Sequence, residues 1–183
     1  MHWTKWSWFA FAGFLSVLLV AWILFSPEMF GVSGCPVLAR LRPIQVVLAG
    51  ETDYVELDRD PAMGPFPAFR VRVQGDGHVD WDGEQCVAAM GKRQGRIDPQ
   101  DAKALIERFQ ARGFCRLCRN YLPDATDLGA RRFTLSLSGE RQDVVERSRR
   151  APQVFDDLDK DVVQTAHVDE WIGEVPDRHC VHR

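Results

Sequence analysis

The sequence has no basic stripe, no catalytic elbow and no phosphate-binding loop, and each absence removes a class of function. A nucleic-acid footprint needs Lys and Arg gathered on one face or along one segment. Here 23 Lys+Arg stand against 26 Asp+Glu, a formal charge of -3, and from Glu51 onward the two signs are interspersed. The densest basic stretch, Arg131, Arg132, Arg141, Arg147, Arg149 and Arg150, is broken by Glu140, Asp143 and Glu146 and reads as a solvated mixed-charge face. No nucleic-acid partner is expected. Gly-x-Ser-x-Gly, the P-loop pattern and His-Glu-x-x-His are all missing, so nothing argues for hydrolase or nucleotide chemistry, and no cofactor is expected. There is no internal repeat and no low-complexity tract.

Charge is wholly missing from one place. The run from Trp6 to Phe25 carries no ionisable side chain, and at 1.5 Å per residue it is long enough to cross the roughly 30 Å hydrocarbon core of a bilayer. Trp3, Trp6 and Trp8 supply amphipathic rings for a headgroup layer. Three fates compete for this segment: an uncleaved signal anchor, a cleaved secretory signal, and a lipoprotein signal ending at Val32-Ser33-Gly34-Cys35. Glu28 just upstream and the length of the run favour the uncleaved anchor. Lys5 on one side is balanced by Arg40 and Arg42 on the other, so the positive-inside rule gives no orientation. The secretory look of the N-terminus and the cysteine usage favour an N-in, single-pass anchor with the domain outside the cytoplasm.

The remaining chain, about 140 residues, is the size of one domain with its own core. Residues 1–30 are assigned to the anchor, 31–43 to a linker, 44–173 to the domain and 174–183 to a tail. Pro43 to Leu48 reads as a start of the sheet. Tyr54 to Leu57 and Phe69 to Val73 alternate apolar with polar residues, the period of half-buried strands. Gly75-Asp76-Gly77 supplies a tight turn and His78 to Trp81 returns the hairpin. A further strand is expected through Cys86 to Met90, with Gly91 to Gly95 leading out of it. Asp98 is a natural N-cap and Pro99 a first helical residue; Ala102, Leu105, Ile106 and Phe109 then share one face, and Gly113 ends the helix. Phe133, Leu135 and Leu137 alternate up to Ser138-Gly139, and Arg141 to Glu146 pairs back. Pro152 opens a second helix through Phe155, Leu158, Val162 and Ala166, extending to Trp171-Ile172. The order β-β-β-α-β-β-α predicts an α+β fold, an antiparallel sheet with two helices packed on one face, preceded by one transmembrane helix. Val71, Val73, Trp81, Leu105, Phe109, Leu135, Phe155 and Leu158 are its expected core, with His78, Asp80 and Asp82 on the opposite face.

The order of these motifs resembles a bacterial domain of unknown function, the family numbered 6438, found on secreted or lipid-anchored proteins. The resemblance covers residues 53 to 173. It rests on the segment from Pro61 to Val73, on Gly75-Asp76-Gly77 with Gly83, on Gly91-Lys92-Arg93 before Asp98, on Thr126-Asp127, and on Trp171-Ile172. The family has two cysteines in a Cys-x-Gly-x-Cys-Pro arrangement where this chain has Ala62 and Phe66; Gly64 and Pro67 remain. The resemblance implies fold and envelope location, and no activity.

Five cysteines cannot all pair within one chain. Cys115-Arg116-Leu117-Cys118 is the motif with chemistry of its own, because two thiols so spaced can cycle to a disulfide or hold a metal. The pair follows a helix that ends at Gly113, whereas a redox thiol is best placed at a helix N-terminus. A structural bridge from Cys86 to Cys115 or Cys118 is the favoured reading. His179, Cys180 and His182 could ligate a soft metal, but their spacing matches no finger pattern. Asp76, Asp80 and Asp82 around His78 fit a solvent face better than a catalytic or calcium site. The expected function is therefore a membrane-tethered, non-catalytic envelope module that binds a protein or other envelope component, with a thiol-disulfide redox protein using Cys115 and Cys118 as the alternative.

Overall fold

The computed structural model describes residues 32–33, 43–62, 64–121, 129–147 and 152–174. The apolar run Trp6 to Phe25, the lipobox-like Cys35, most of the linker, Thr126-Asp127, and the tail carrying His179, Cys180 and His182 lie outside them. Among the described residues no helix is long and apolar enough to cross a membrane.

The alternating segments form strands as expected. These are β1 (Val32–Ser33), β2 (Tyr54–Arg59), β3 (Ala68–Gln74), β4 (His78–Gln85), β5 (Gly91–Arg96), β6 (Asn120–Tyr121), β7 (Arg131–Leu137) and β8 (Glu140–Glu146). Among the described residues they make one sheet in the order β1-β6-β8-β7-β2-β3-β4-β5. Every pairing is antiparallel except β6 with β8, which is parallel, so the sheet is mixed rather than purely antiparallel. The helices are α1 (Pro99–Ala111), α2 (Val154–Thr165) and a short α3 (Asp169–Ile172).

Period-2 alternation sends Val55, Leu57, Phe69, Val71, Val73, Val79 and Trp81 to one face, where α1 and α2 cover them. The eight residues expected to form the core are all buried in one cluster. Asp98 caps α1, its carboxylate accepting the Gln100 N–H at 2.7 Å, and Gly113 follows the helix at φ 78°, a left-handed position that glycine takes without a Cβ clash. Phe69 stacks on Trp81 at 4.7 Å, and Trp171 meets Trp81 edge-on at 5.7 Å.

Three expectations are corrected. The strand expected at Cys86 to Met90 is the connection between β4 and β5; the strand is Gly91–Arg96, paired to β4 with Gly95 opposite Val79. No apolar residue marks β5, because on its core side Gly95 leaves room for the Trp171 ring, 3.0 Å from where a Cβ would stand. Pro43 to Leu48 is not in the sheet; it lies beside α1, where the Gln110 side chain receives the Val47 N–H at 2.7 Å and donates to its carbonyl at 2.9 Å. That leaves Ile44, Val46, Val47 and Leu48 exposed, Leu48 by 83%. The second helix stops at Thr165 and the chain restarts as α3, because His167 takes a left-handed conformation at φ 53°.

Phe109 is fully buried and packs 5.4 Å from Phe114. Phe109→Ala is expected to cost about 3–5 kcal/mol, as a large aromatic cavity does, while Leu48→Ser stays within about 0.5 kcal/mol. Urea unfolding of the full chain in mild detergent, followed by circular dichroism, measures both.

Candidate functional site

The face of the sheet turned away from the helices is the candidate site. On it the side chains of β2 are Tyr54, Glu56 and Asp58, and the antiparallel registers fix their neighbours. One rung across five strands runs Arg132, Asp58, Arg70, Asp82, Lys92, alternating in sign at every step. The next rung runs Asp143, Thr134, Glu56, Arg72, Asp80, Gln94. Opposite charges directly across an antiparallel pair attract and like charges repel, so the register and the charge order support each other.

The pairs are made. Arg72 Nε donates to Glu56 at 2.8 Å and its guanidinium lies over the Tyr54 ring at 4.5 Å. Arg70 donates twice to one oxygen of Asp58, at 3.0 and 3.2 Å, with the Arg132 guanidinium 4.0 Å away. These arginines cover the acids: Glu56 is 6% exposed and Asp58 5%, although both lie on the outer face. The hydrogen bond to Asp58 and its charge hold the Arg70 guanidinium above its ordinary pKa. Asp143 accepts Thr134 Oγ1 at 2.6 Å and Arg141 at 2.8 to 3.0 Å. Burial alone would raise the Asp143 carboxyl; the hydrogen bonds from Arg141 and Thr134, with the nearby arginine charges, outweigh it and hold the group below its usual range.

Towards β5 the face opens into a shallow basin of about 560 Å³ lined by Arg70, Arg72, Asp80, Asp82, Lys92 and Gln94. His78, Asp80 and Asp82 therefore share the outer face, half-buried, as the alternation predicts. His78 Nε2 lies 3.1 Å from Asp80, which also accepts from Gln94 at 3.1 Å and Gln74 at 3.4 Å. Among the described residues no three His, Cys, Asp or Glu side chains converge as a metal site. Sequence reasoning missed Glu56, Asp58, Arg70 and Arg72. Their signal was parity: two acids two residues apart on one strand, two arginines two apart on the next strand in the sequence.

The cysteines are not gathered into one site. Cys86 follows β4 and Cys118 precedes β6, with β8, β7, β2 and β3 lying between those strands. Cys115 is a free thiol, so no bridge runs from Cys86 to Cys115, and four strands lie between Cys86 and Cys118. Cys115 is a free, exposed thiol whose pKa is pushed up by burial of its sulfur, partly offset by a backbone hydrogen bond. Cys118 is fully buried and engaged, and Cys86 is buried and engaged as well.

A family model for the domain of unknown function DUF6438 matches residues 53–166. The chain belongs to this family. The matched segment runs from the residue before β2 to the residue after α2, so it takes in β2 to β8 and with them every strand of the two rungs. No curated protein matches the chain. Where the resemblance implies a cysteine pair in DUF6438 relatives, this member has Ala62 and Phe66. Their loop is held to β4 by the Gln85 amide, which donates to the Gly64 carbonyl at 3.3 Å, and Phe66 is exposed.

Asp58→Ala is expected to cost about 1.5–3 kcal/mol, because it strips charge-assisted hydrogen bonds from a covered acid. Asp80→Ala, half-exposed, should cost under about 1 kcal/mol. For Asp143 the folded pKa lies below the unfolded value of about 3.9. Its contribution is therefore complete above that value and lost as pH falls through the lower, folded one. Urea melts at pH 5 and pH 3 should show the native chain losing more stability than Asp143→Asn over that interval.

Proposed function

We propose that this DUF6438 protein is a non-catalytic, membrane-tethered module of the bacterial envelope that binds a protein partner through the open face of its sheet. The observation that carries the reading is the uncovered rung Arg132, Asp58, Arg70, Asp82, Lys92, whose charge changes sign at each strand. Such a face is balanced in charge and laid out in rows, and what complements it is another protein surface with interleaved charges. A polyanion would meet Asp58, Asp80, Asp82 and Asp143 along with the arginines, which weighs against nucleic acid or anionic polysaccharide. The paired side chains are already held by one another, so little rotamer freedom is lost when a partner covers them.

The tether is the uncharged run Trp6 to Phe25, and the exposed Ile44, Val46, Val47 and Leu48 follow shortly after it, where an apolar strip would lie near the bilayer surface. Placement of the domain on the periplasmic side belongs to the same reading. The redox alternative is the weaker one. A redox thiol needs a lowered pKa, and burial moves Cys115 the other way.

The test is a photo-crosslinking amino acid placed at position 94 on the outer face, or at Ala104 on the exposed side of α1, in native membranes. A discrete adduct from position 94, absent from position 104 and weakened by Lys92→Glu, is the expected result. Adducts from position 104 alone would overturn the proposal.

A further inference from the structure

We propose that β5, at the edge of the sheet, takes an extended acidic segment of a partner protein as one more antiparallel strand. Among the described residues β5 pairs with β4 on one side and with no strand on the other. Register shows which of its backbone groups are left over. The Ile97 N–H donates to the Gly77 carbonyl at 2.9 Å, and those two residues continue the pairing in which His78 stands opposite Arg96. Hydrogen-bonded and non-bonded pairs alternate along an antiparallel ladder, so Gly91, Arg93 and Gly95 turn their N–H and C=O groups towards β4, and Lys92, Gln94 and Arg96 turn theirs outward. The far side of the hairpin agrees. The Gly75 N–H donates to the Asp53 carbonyl at 2.8 Å, and the same alternation carried across β3 and β4 gives β5 the same parity. No backbone hydrogen bond from elsewhere in the described chain reaches Lys92, Gln94 or Arg96.

The side chains say what kind of strand would fit. β5 is exposed along its length except at Gly95, has no proline, and carries three cations and no acid. On β3 the guanidinium groups of Arg70 and Arg72 are taken up by Asp58 and Glu56, whereas among the described residues Lys92, Arg93 and Arg96 make no ion pair. The rung whose charge changes sign at each strand ends on Lys92, and the rung at the turn end of the hairpin ends on Arg96 beside His78. A further strand that continued the alternation would be acidic at both places. Lys92 and Arg96 are four residues apart on one face, so its carboxylates stand at i and i+4. On the helix side Gly95 has no side chain, and the half-buried Trp171 ring comes within 3.0 Å of where its Cβ would be. An apolar residue opposite Gly95, next to the first carboxylate, would lie beside that ring. The pattern is therefore acid, apolar, any, any, acid.

Cations on an edge strand guard it against indiscriminate pairing. Here they exclude a second copy of the chain, because β5 laid antiparallel on β5 about Gln94 would set Lys92 opposite Arg96 at both ends. The same charges admit an acidic strand. The outward N–H and C=O groups of Lys92, Gln94 and Arg96 supply main-chain hydrogen bonds to any extended segment, and the alternating side-chain positions select among sequences. For the partner's being a polypeptide the inference rests on the reading of the outer face as a protein-binding surface, to which it adds the partner's conformation and charge.

The probe is a fluorescently labelled peptide, Thr-Glu-Val-Thr-Thr-Glu-Thr, titrated into the full chain in nanodiscs and followed by anisotropy and by hydrogen exchange over residues 91–96. Saturable binding that slows exchange there is expected, with binding about tenfold weaker when both Glu are replaced by Lys. Lys92→Glu combined with Arg96→Glu should invert that preference. Gln94→Pro should abolish binding and leave the chain folded, because the N–H that it removes points away from β4 and an edge strand tolerates proline there. Should that variant unfold, the charge reversal decides alone. No binding, equal binding of the two peptides, or binding that leaves exchange at 91–96 unchanged would overturn the proposal. So would binding gained only after residues 175–183 are removed, since the chain's own tail would then hold the edge. If the peptide fails while a crosslinker at position 94 still gives a discrete adduct, strand addition is lost and the outer-face reading stands. If the peptide binds as expected while adducts come from position 104 alone, the edge site stands and the outer-face reading is lost.

Discussion

Everything in this domain is hung on the register of β2. The strand sits between β3 and β7, and its residues alternate between two incompatible environments. Val55 and Leu57 are fully buried beneath the helices, while Glu56 and Asp58 are covered on the other side by arginines. A slip of one residue against either neighbour would turn two carboxylates into an apolar core and two aliphatic side chains into a layer of guanidinium groups. Burying an unpaired carboxylate costs far more than any single hydrogen bond returns, so both faces reject the slipped pairing. The polar face is thus as much a part of what specifies the fold as the core is.

The same logic extends to the helix side. Arg59 and Arg131 occupy the last inward rung of β2 and β7, where α2 supplies carboxylates instead of aliphatic groups: Asp159 pairs with Arg59, and Asp156 with Arg131 at 2.8 Å. At the other flank of α2, Asp161 receives Arg112 Nε at 2.7 Å and Arg108 at 3.4 Å, joining it to α1. Hydrophobic burial is non-directional and would let α2 slide along its groove. Bidentate arginine-carboxylate pairs are directional, and those made on two flanks of the helix, by Asp159 and Asp161, fix its height and rotation. The helices in turn hold the sheet's twist, and so the shape of the face on the far side.

Much of this was legible in the residues. The alternation at 54–57, 69–73 and 133–137, the return strand at 141–146 and the capped helix after Asp98 depend on neighbours within a few positions, and the structure keeps them. What was not legible depends on partners distant in sequence. β5 carries no apolar residue because an edge strand with glycines can be filled from above by a ring, here Trp171, 76 residues from Gly95. β6 is two residues long and pairs in parallel with β8, a contact no local pattern announces. Nothing in the residues around Glu56 and Asp58 marks them as covered acids. Only the antiparallel pairing of β2 with β3 and with β7, across the insertion of β4, β5 and α1, reveals that each faces an arginine.

Among the described residues the shifted titratable groups and the paired charges of the sheet favour the proposed reading. A catalytic centre stores perturbed groups near the working pH, with donors or nucleophiles left free to act. Here the clearly shifted groups move away from reactivity: Arg70 and Arg141 become firmer cations through their carboxylate partners, Asp143 a firmer anion, and the Cys115 thiol a poorer thiolate. Each carboxylate named on the two rungs, apart from Asp82, accepts a hydrogen bond from a neighbour on the sheet. Groups so arranged are poor at transferring protons and good at presenting a fixed pattern of charge. A pattern that is fixed before contact loses little entropy on contact, and discriminates among partners by whether their charges interleave with its own. On the proposed reading such a surface would serve recognition, and a tether confining it to two dimensions would raise its effective concentration towards partners in the same membrane without any further contact.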